Sequence, residues 1–146
     1  MTVSLANSLE YDSVTVYGIP ASCKAASASS RDFPDKRGIA RYADTTLPMD
    51  EALILSAVDL SGRGYLKYNL NSMAEKVGDF DTELVEEFWL GFVRNAEATL
   101  HIKQLDGSNS HHIIEGAFKS AARSMKEAVA IDVKFSDDIM STKGVL

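Results

Sequence analysis

Residues 99–130 read TLHIKQLDGSNSHHIIEGAFKSAARSMKEAVA, and across one polar turn the hydrophobic repeat changes from that of a strand to that of a helix. From Thr99 to Leu105, Leu100 and Ile102 point to one side while Thr99, His101 and Lys103 point to the other, the alternation of a half-buried strand. Asp106-Gly107 stops that strand, and Asn109 or Ser110 can cap a helix from His111 to about Ala130. At about 100° per residue, Ile114, Phe118, Ala121, Ala122, Met125 and Val129 share one stripe, the expected core face. His111, His112, Glu115 and Lys119 fall on an arc of about 100° beside it, forming a polar edge.

Upstream, Ala52 to Leu60 (ALILSAVDL) is apolar enough for a buried strand, Ser61-Gly62-Arg63-Gly64 is turn chemistry, and Tyr65 to Leu70 alternates as a returning strand. This predicts a hairpin with Arg63 at its tip. Asp81 can cap a helix running to about Glu97, because Leu84, Val85, Phe88, Trp89, Phe92 and Val93 share a face at helical spacing. Strands and helices in this order predict an α+β fold, a mainly antiparallel sheet with two helices on one face. The character changes near Pro34, which divides the chain into 1–34 and 35–146. Before it, Ala21–Ser30 is small and polar and reads as a poorly ordered segment, with one short alternating strand at Ser13–Ile19. Asp132 to Leu146 reads as a polar loop or tail ending in Ser-Thr-Lys-Gly.

With 146 residues and 45% hydrophobic content, the chain can build one compact domain and is too short for two ordinary ones. Its net charge of -6, with no basic run, argues against nucleic acid as a partner. Cys23 is the only cysteine, which excludes an intrachain disulfide or a thiolate metal cage and suits a reducing compartment. No basic leader and no apolar run of roughly 18 residues is present, so the expected setting is cytoplasmic, without a membrane.

The three histidines are the most informative residues, because His101, His111 and His112 fall close together around one strand-helix corner with Glu115 beside them. Imidazole nitrogens and a carboxylate are ligands suited to manganese, iron or zinc. Two adjacent histidines at a solvated helix start need no function by themselves; a third from the adjoining strand, its ring turned toward the helix start, makes a metal site the sharper expectation. The order His-x-x-Glu departs from the HExxH of zinc proteases and the Glu-x-x-His of di-iron bundles. A one-metal hydrolase would also lack a candidate nucleophile near the histidines.

The run Asn109-Ser110-His111-His112-Ile113-Ile114-Glu115-Gly116-Ala117-Phe118-Lys119, followed by Ala122-Arg123, resembles the second metal motif of the imidazoleglycerol-phosphate dehydratase family. The segments Asp35–Tyr42, Pro48–Ala52, Asp59–Arg63, Gly78–Val85, Thr99–Ile102 and Ser141–Gly144 extend the likeness in the family's order over about three quarters of the chain. The resemblance implies half of a duplicated sheet-plus-two-helices fold, akin to the second domain of a small-subunit ribosomal protein. It implies a carbon–oxygen lyase of histidine biosynthesis that converts imidazole glycerol phosphate to imidazole acetol phosphate with two manganese ions. It also implies a large octahedral homo-oligomer, in which each metal draws ligands across subunit boundaries. By position, His101, His111, His112 and Glu115 would be metal ligands, with Glu115 also catalytic. Arg41, Arg63, Lys119, Ser141, Thr142 and Lys143 would hold the substrate, chiefly its phosphate, together with His111 and His112.

This sequence departs from the family in carrying one His-His-x-x-Glu motif where the family has two, and its three histidines are all used by that one. The expectation is a truncated or frame-shifted form with half-built metal sites, weak manganese binding and no turnover alone. The alternative is a catalytically inactive half-domain acting only through association with intact subunits. An apolar surface that would face the twin half is expected to be uncovered and to drive self-association. Smaller departures are Gly64, where the family usually has Pro, and Gly116, where Ala is commoner.

Overall fold

The computed structural model describes residues 38–71 and 73–131. The strand expected at Ser13–Ile19, the polar stretch Ala21–Ser30, the boundary near Pro34 and the tail from Asp132 lie outside the described residues. In chain order the elements are β1 (Tyr42–Met49), β2 (Ala52–Asp59), β3 (Tyr65–Asn69), β4 (Lys76–Val77), β5 (Phe80–Asp81), α1 (Glu83–Ala96), β6 (Thr99–Asp106) and α2 (Ser110–Ala128). No described helix is long and apolar enough to cross a membrane.

The main sheet has the order β1-β2-β6-β3, antiparallel except between β6 and β3. Both helices lie on one of its faces, so the α+β reading stands. The hairpin expected between Ala52–Leu60 and Tyr65–Leu70 does not form. β6 sits between those strands, and the segment 60–64 steps across its start, where Ser61 Oγ lies 3.2 Å from Thr99 Oγ1. β3 instead runs parallel to β6, and parallel neighbours need a crossover connection, which α1 provides. The tight hairpin is β1–β2, turned at Asp50 and Glu51, with Asp50 in the left-handed region at φ 49°. β1 is an edge strand, which is why it tolerates Pro48.

Along β2, Ala52, Ile54, Ser56 and Val58 are buried under the helices, while Leu53, Leu55 and Ala57 on the other face are only half-buried. The strand is therefore one-sided, where full burial was expected. α1 starts after Thr82, not Asp81, and no side chain caps it: Thr82 Oγ1 donates to Ala74 O at 2.8 Å, and Asp81 pairs with Lys76 across β4–β5 at 3.1 Å. Val85, Phe88, Trp89, Phe92 and Val93 face the core as expected, but Leu84 faces solvent.

α2 starts at an Asn109 cap that accepts the His111 and His112 backbone N–H groups. Its buried face is wider than the expected stripe and takes in Ile113, Ala117, Ser120 and Ser124, while Ala122, Met125 and Val129 are partly exposed. The cause is close packing on β2: Ser120 and Ser56 hydroxyls are 2.6 Å apart, and Ser124 Oγ donates to Ser56 O at 3.0 Å. Gly116 belongs to the same contact, because a Cβ there would lie 2.9 Å from Ile54 Cγ1 in a fully buried side chain. Gly116→Ala gains about 1 kcal/mol of helix propensity against roughly 1–3 kcal/mol of overpacking. The net expectation is destabilisation of about 1 kcal/mol in a urea melt; a stabilised variant would show that Ile54 yields freely.

Candidate metal centre

The first turns of α2 meet the β1–β2 turn, and that junction holds most of the chemistry. His112 Nδ1 lies 2.7 Å from Glu51 Oε2, and its Nε2 lies 3.4 Å from Asp50 Oδ2. His111 Nε2 lies 3.3 Å from Glu115 Oε2 across one helical turn, and Glu115 Oε1 lies 2.7 Å from Lys119 Nζ. The two imidazole rings are 6.0 Å apart. His111, His112, Glu115 and Lys119 thus form the continuous polar edge expected from their spacing.

Two residues of this junction, Asp50 and Glu51, have no role assigned to them by sequence alone. Their signal is the Pro48–Ala52 likeness, but without the pairing of β1 and β2 their turn cannot be placed against the helix start.

The hydrogen bond that His112 donates to Glu51 is the chief cause that raises the His112 pKa above the ordinary 6.5. That same bond, with the Asn109 backbone N–H, lowers Glu51 to about 2 from 4.5. Glu51 stabilises the folded state above pH 4.5, and that contribution is lost as pH falls through 2. His112 contributes below pH 6.5 and loses its share as pH rises through its raised folded value. The difference in melting temperature between the wild type and Glu51→Gln is therefore expected to be largest between pH 4.5 and 6.5 and to shrink on both sides. A difference that keeps growing above pH 8 would contradict the pairing.

The other expected site residues are elsewhere. His101 does not turn toward the helix start, which corrects that expectation: it is exposed on the sheet face opposite the helices, between Ala57 and Lys67, with its ring 5.9 Å from Tyr65. Leu100 and Ile102 fill the core side of β6, so period-two alternation sends His101 to the other.

Arg41 is at the far end of β1, where its Nε bonds Asp59 Oδ1 at 2.8 Å and its guanidinium lies 4.6 Å from the Tyr42 ring centre. Its φ of 69° is held by its N–H on Ala128 O and its carbonyl on Leu60 N–H. Arg63 is exposed in the 60–64 segment near the same end. Eight strand residues at about 3.4 Å each put roughly 27 Å between that end and the Asp50–Glu51 turn. Ser141, Thr142 and Lys143 lie outside the described residues.

Donor chemistry at the α2 start suits a divalent ion such as manganese, being imidazole nitrogen and carboxylate oxygen. Donor number does not: among the described residues no three His, Cys, Asp or Glu side chains converge to hold a metal ion. Within the described residues, the junction offers donors of the right chemistry but too few to hold such an ion.

The family model for imidazoleglycerol-phosphate dehydratase matches residues 23–125. The chain belongs to that family. Imidazoleglycerol-phosphate dehydratases from Methylorubrum extorquens and a Synechococcus strain are 52% and 50% identical over 119 residues, which is 82% of this chain and 61% and 59% of theirs. A crystal structure of the Staphylococcus aureus dehydratase superposes with a TM-score of 0.68 at 45% identity, over 70% of this chain and 60% of that one. The Pyrococcus furiosus dehydratase, solved with (S)-C348, gives 0.66 at 40% identity, over 74% and 58%. The chain therefore spans about three-fifths of the length of these dehydratases.

Proposed function

We propose that this chain contributes one half of a dimanganese site that dehydrates imidazole glycerol phosphate to imidazole acetol phosphate in histidine biosynthesis. The observation that carries the reading is the helix start itself, where His111, His112 and Glu115 are presented together and Glu51 braces one of the rings. Bound manganese would polarise the substrate's imidazole, easing loss of the carbon-bound proton that leaves with the hydroxyl as water. His111, His112 and Glu115 would hold that ion, and Lys119, beside Glu115, would supply positive charge for the substrate.

Arg41, Arg63 and His101 cannot reach this junction within one chain. They are proposed to serve a site on another copy, Arg41 and Arg63 at the phosphate and His101 as a further ligand, in a homo-oligomer whose sites are shared between subunits. The incomplete donor set also supports a second reading, in which the chain acts only by associating with intact subunits.

Both readings meet one experiment. The full chain is assayed with manganese alone and then co-purified with the N-terminal half of the Staphylococcus aureus dehydratase. The expected result is no turnover alone and turnover after complementation, with manganese affinity reduced at least about tenfold by His111→Ala/His112→Ala. Turnover by the chain alone, or a manganese-loaded complex carrying both halves that dehydrates nothing, would defeat the shared-site reading. The latter outcome would favour association without catalysis.

A further inference from the structure

Glu51 sits at the tip of the β1–β2 turn with both carboxylate oxygens engaged. Oε1 accepts the Asn109 backbone N–H at 2.8 Å and faces that of Ser108 at 3.4 Å; Oε2 meets His112 Nδ1 at 2.7 Å. A surface ion pair adds little to stability and has no need of such anchoring. Here the backbone just before α2 holds the carboxylate in place, and the carboxylate in turn holds one ring of the helix start. Asn109 meanwhile caps the His111 and His112 amides, so the backbone of the turn and the ring of His112 are set by different side chains. The opposite ring atom, Nε2, points outward toward the exposed Asp50.

We infer that Glu51 is a positioning residue: by accepting the Nδ1 proton of His112 it fixes the tautomer and ring plane, leaving Nε2 as the atom that donates to a metal. The inference rests on the metal reading above and adds to it a residue that sets which nitrogen is used. Carboxylates play this part behind metal-bound histidines, where they orient the ring and raise its basicity.

The test is Glu51→Gln in the full chain. Asn109 N–H still requires an acceptor at the Oε1 position, so the glutamine oxygen goes there and its NH2 group meets His112 Nδ1. A donor facing Nδ1 forces the proton onto Nε2. Long-range proton–nitrogen spectra at alkaline pH, where the ring is neutral, are expected to show Nδ1–H in the wild type and Nε2–H in the variant. Manganese-induced broadening of the His112 resonances is expected to need about 10–100-fold more manganese in the variant, with a melting transition close to wild type at the same pH. Glu51→Ala, which leaves the ring to water, is expected to lose the Nδ1–H preference too and serves if the glutamine variant misfolds.

An unchanged Nδ1–H tautomer in the variants, or Nε2–H already in the wild type, overturns the role given to Glu51. A variant that loses stability while tautomer and manganese response stay put makes Glu51 merely structural, which also overturns it. A wild-type His112 that never broadens with manganese defeats the metal reading instead, and the tautomer result still decides the role of Glu51.

Discussion

Trp89→Ala is expected to remove most of the stability of the domain, about 3–5 kcal/mol out of a total of roughly 5–15 kcal/mol. Trp89 is 2% exposed and joins the two helices: its ring lies 5.0 Å from Phe88 and 5.5 Å from Phe92 on α1, and 4.8 Å from Phe118 on α2. Removing it opens a cavity between elements whose backbones are tied to different strands, so the site cannot collapse to fill it. The melting temperature should drop by more than about 10 °C. Trp89→Phe makes the informative comparison. The indole Nε1 is buried with no hydrogen-bond partner among the described residues, so its removal relieves a polar group that is costly to bury. The phenylalanine variant keeps one ring in the core and leaves a smaller cavity, so it should lose clearly less than the alanine variant, on the order of 1–2 kcal/mol. Equal losses for the two variants in a denaturant titration would contradict this account of the core.

Gly107→Ala is expected to cost about 2–5 kcal/mol, from a strained backbone and overpacking together. Gly107 has φ 122°, a conformation that side chains rarely adopt, and a Cβ there would lie 2.8 Å from both Cα and Cβ of Ala52. Ala52 follows Glu51 directly, so the β6–α2 turn is pressed against the strand that carries the brace. Displacing that turn also moves Ser108 and Asn109, whose backbone N–H groups meet Glu51. His112 should accordingly return toward an ordinary imidazole pKa in the variant, a change visible in the same NMR titration that follows the wild type. Gly78→Ala separates the two causes. Gly78 has φ 60°, and a Cβ there would meet nothing within 4 Å, so only the backbone cost of about 1–2 kcal/mol applies. If both variants lose the same amount, close packing at Gly107 contributes nothing.

The helices were legible because their signals are local. Val85, Phe88, Trp89, Phe92 and Val93 share a face whatever they pack against, and Asn109 caps the turn that follows it. The polar edge of His111, His112, Glu115 and Lys119 was legible for the same reason, since helical geometry alone aligns them. The face of His101 was also legible: the alternation that puts Leu100 and Ile102 in the core puts His101 outside it. Expecting His101 to turn toward the helix start gave proximity in sequence more weight than that alternation. Ser61–Gly64 looked like a hairpin because turn residues show where a strand ends without showing what it pairs with.

Sequence by itself determined the α+β composition, the position of each helix, most of the inward face of α1, the family, and the cluster of donors on one helical edge, because these signals are carried by the residues of single segments. Tertiary structure alone decided that β6 enters between β2 and β3, that Glu51 of a distant turn reaches His112, and that Arg41 stands at the opposite end of β1 from that turn. Those are contacts between segments up to 61 residues apart, as with Glu51 and His112. They follow from which apolar faces can be buried against one another at once, a condition on the whole chain that no local pattern contains.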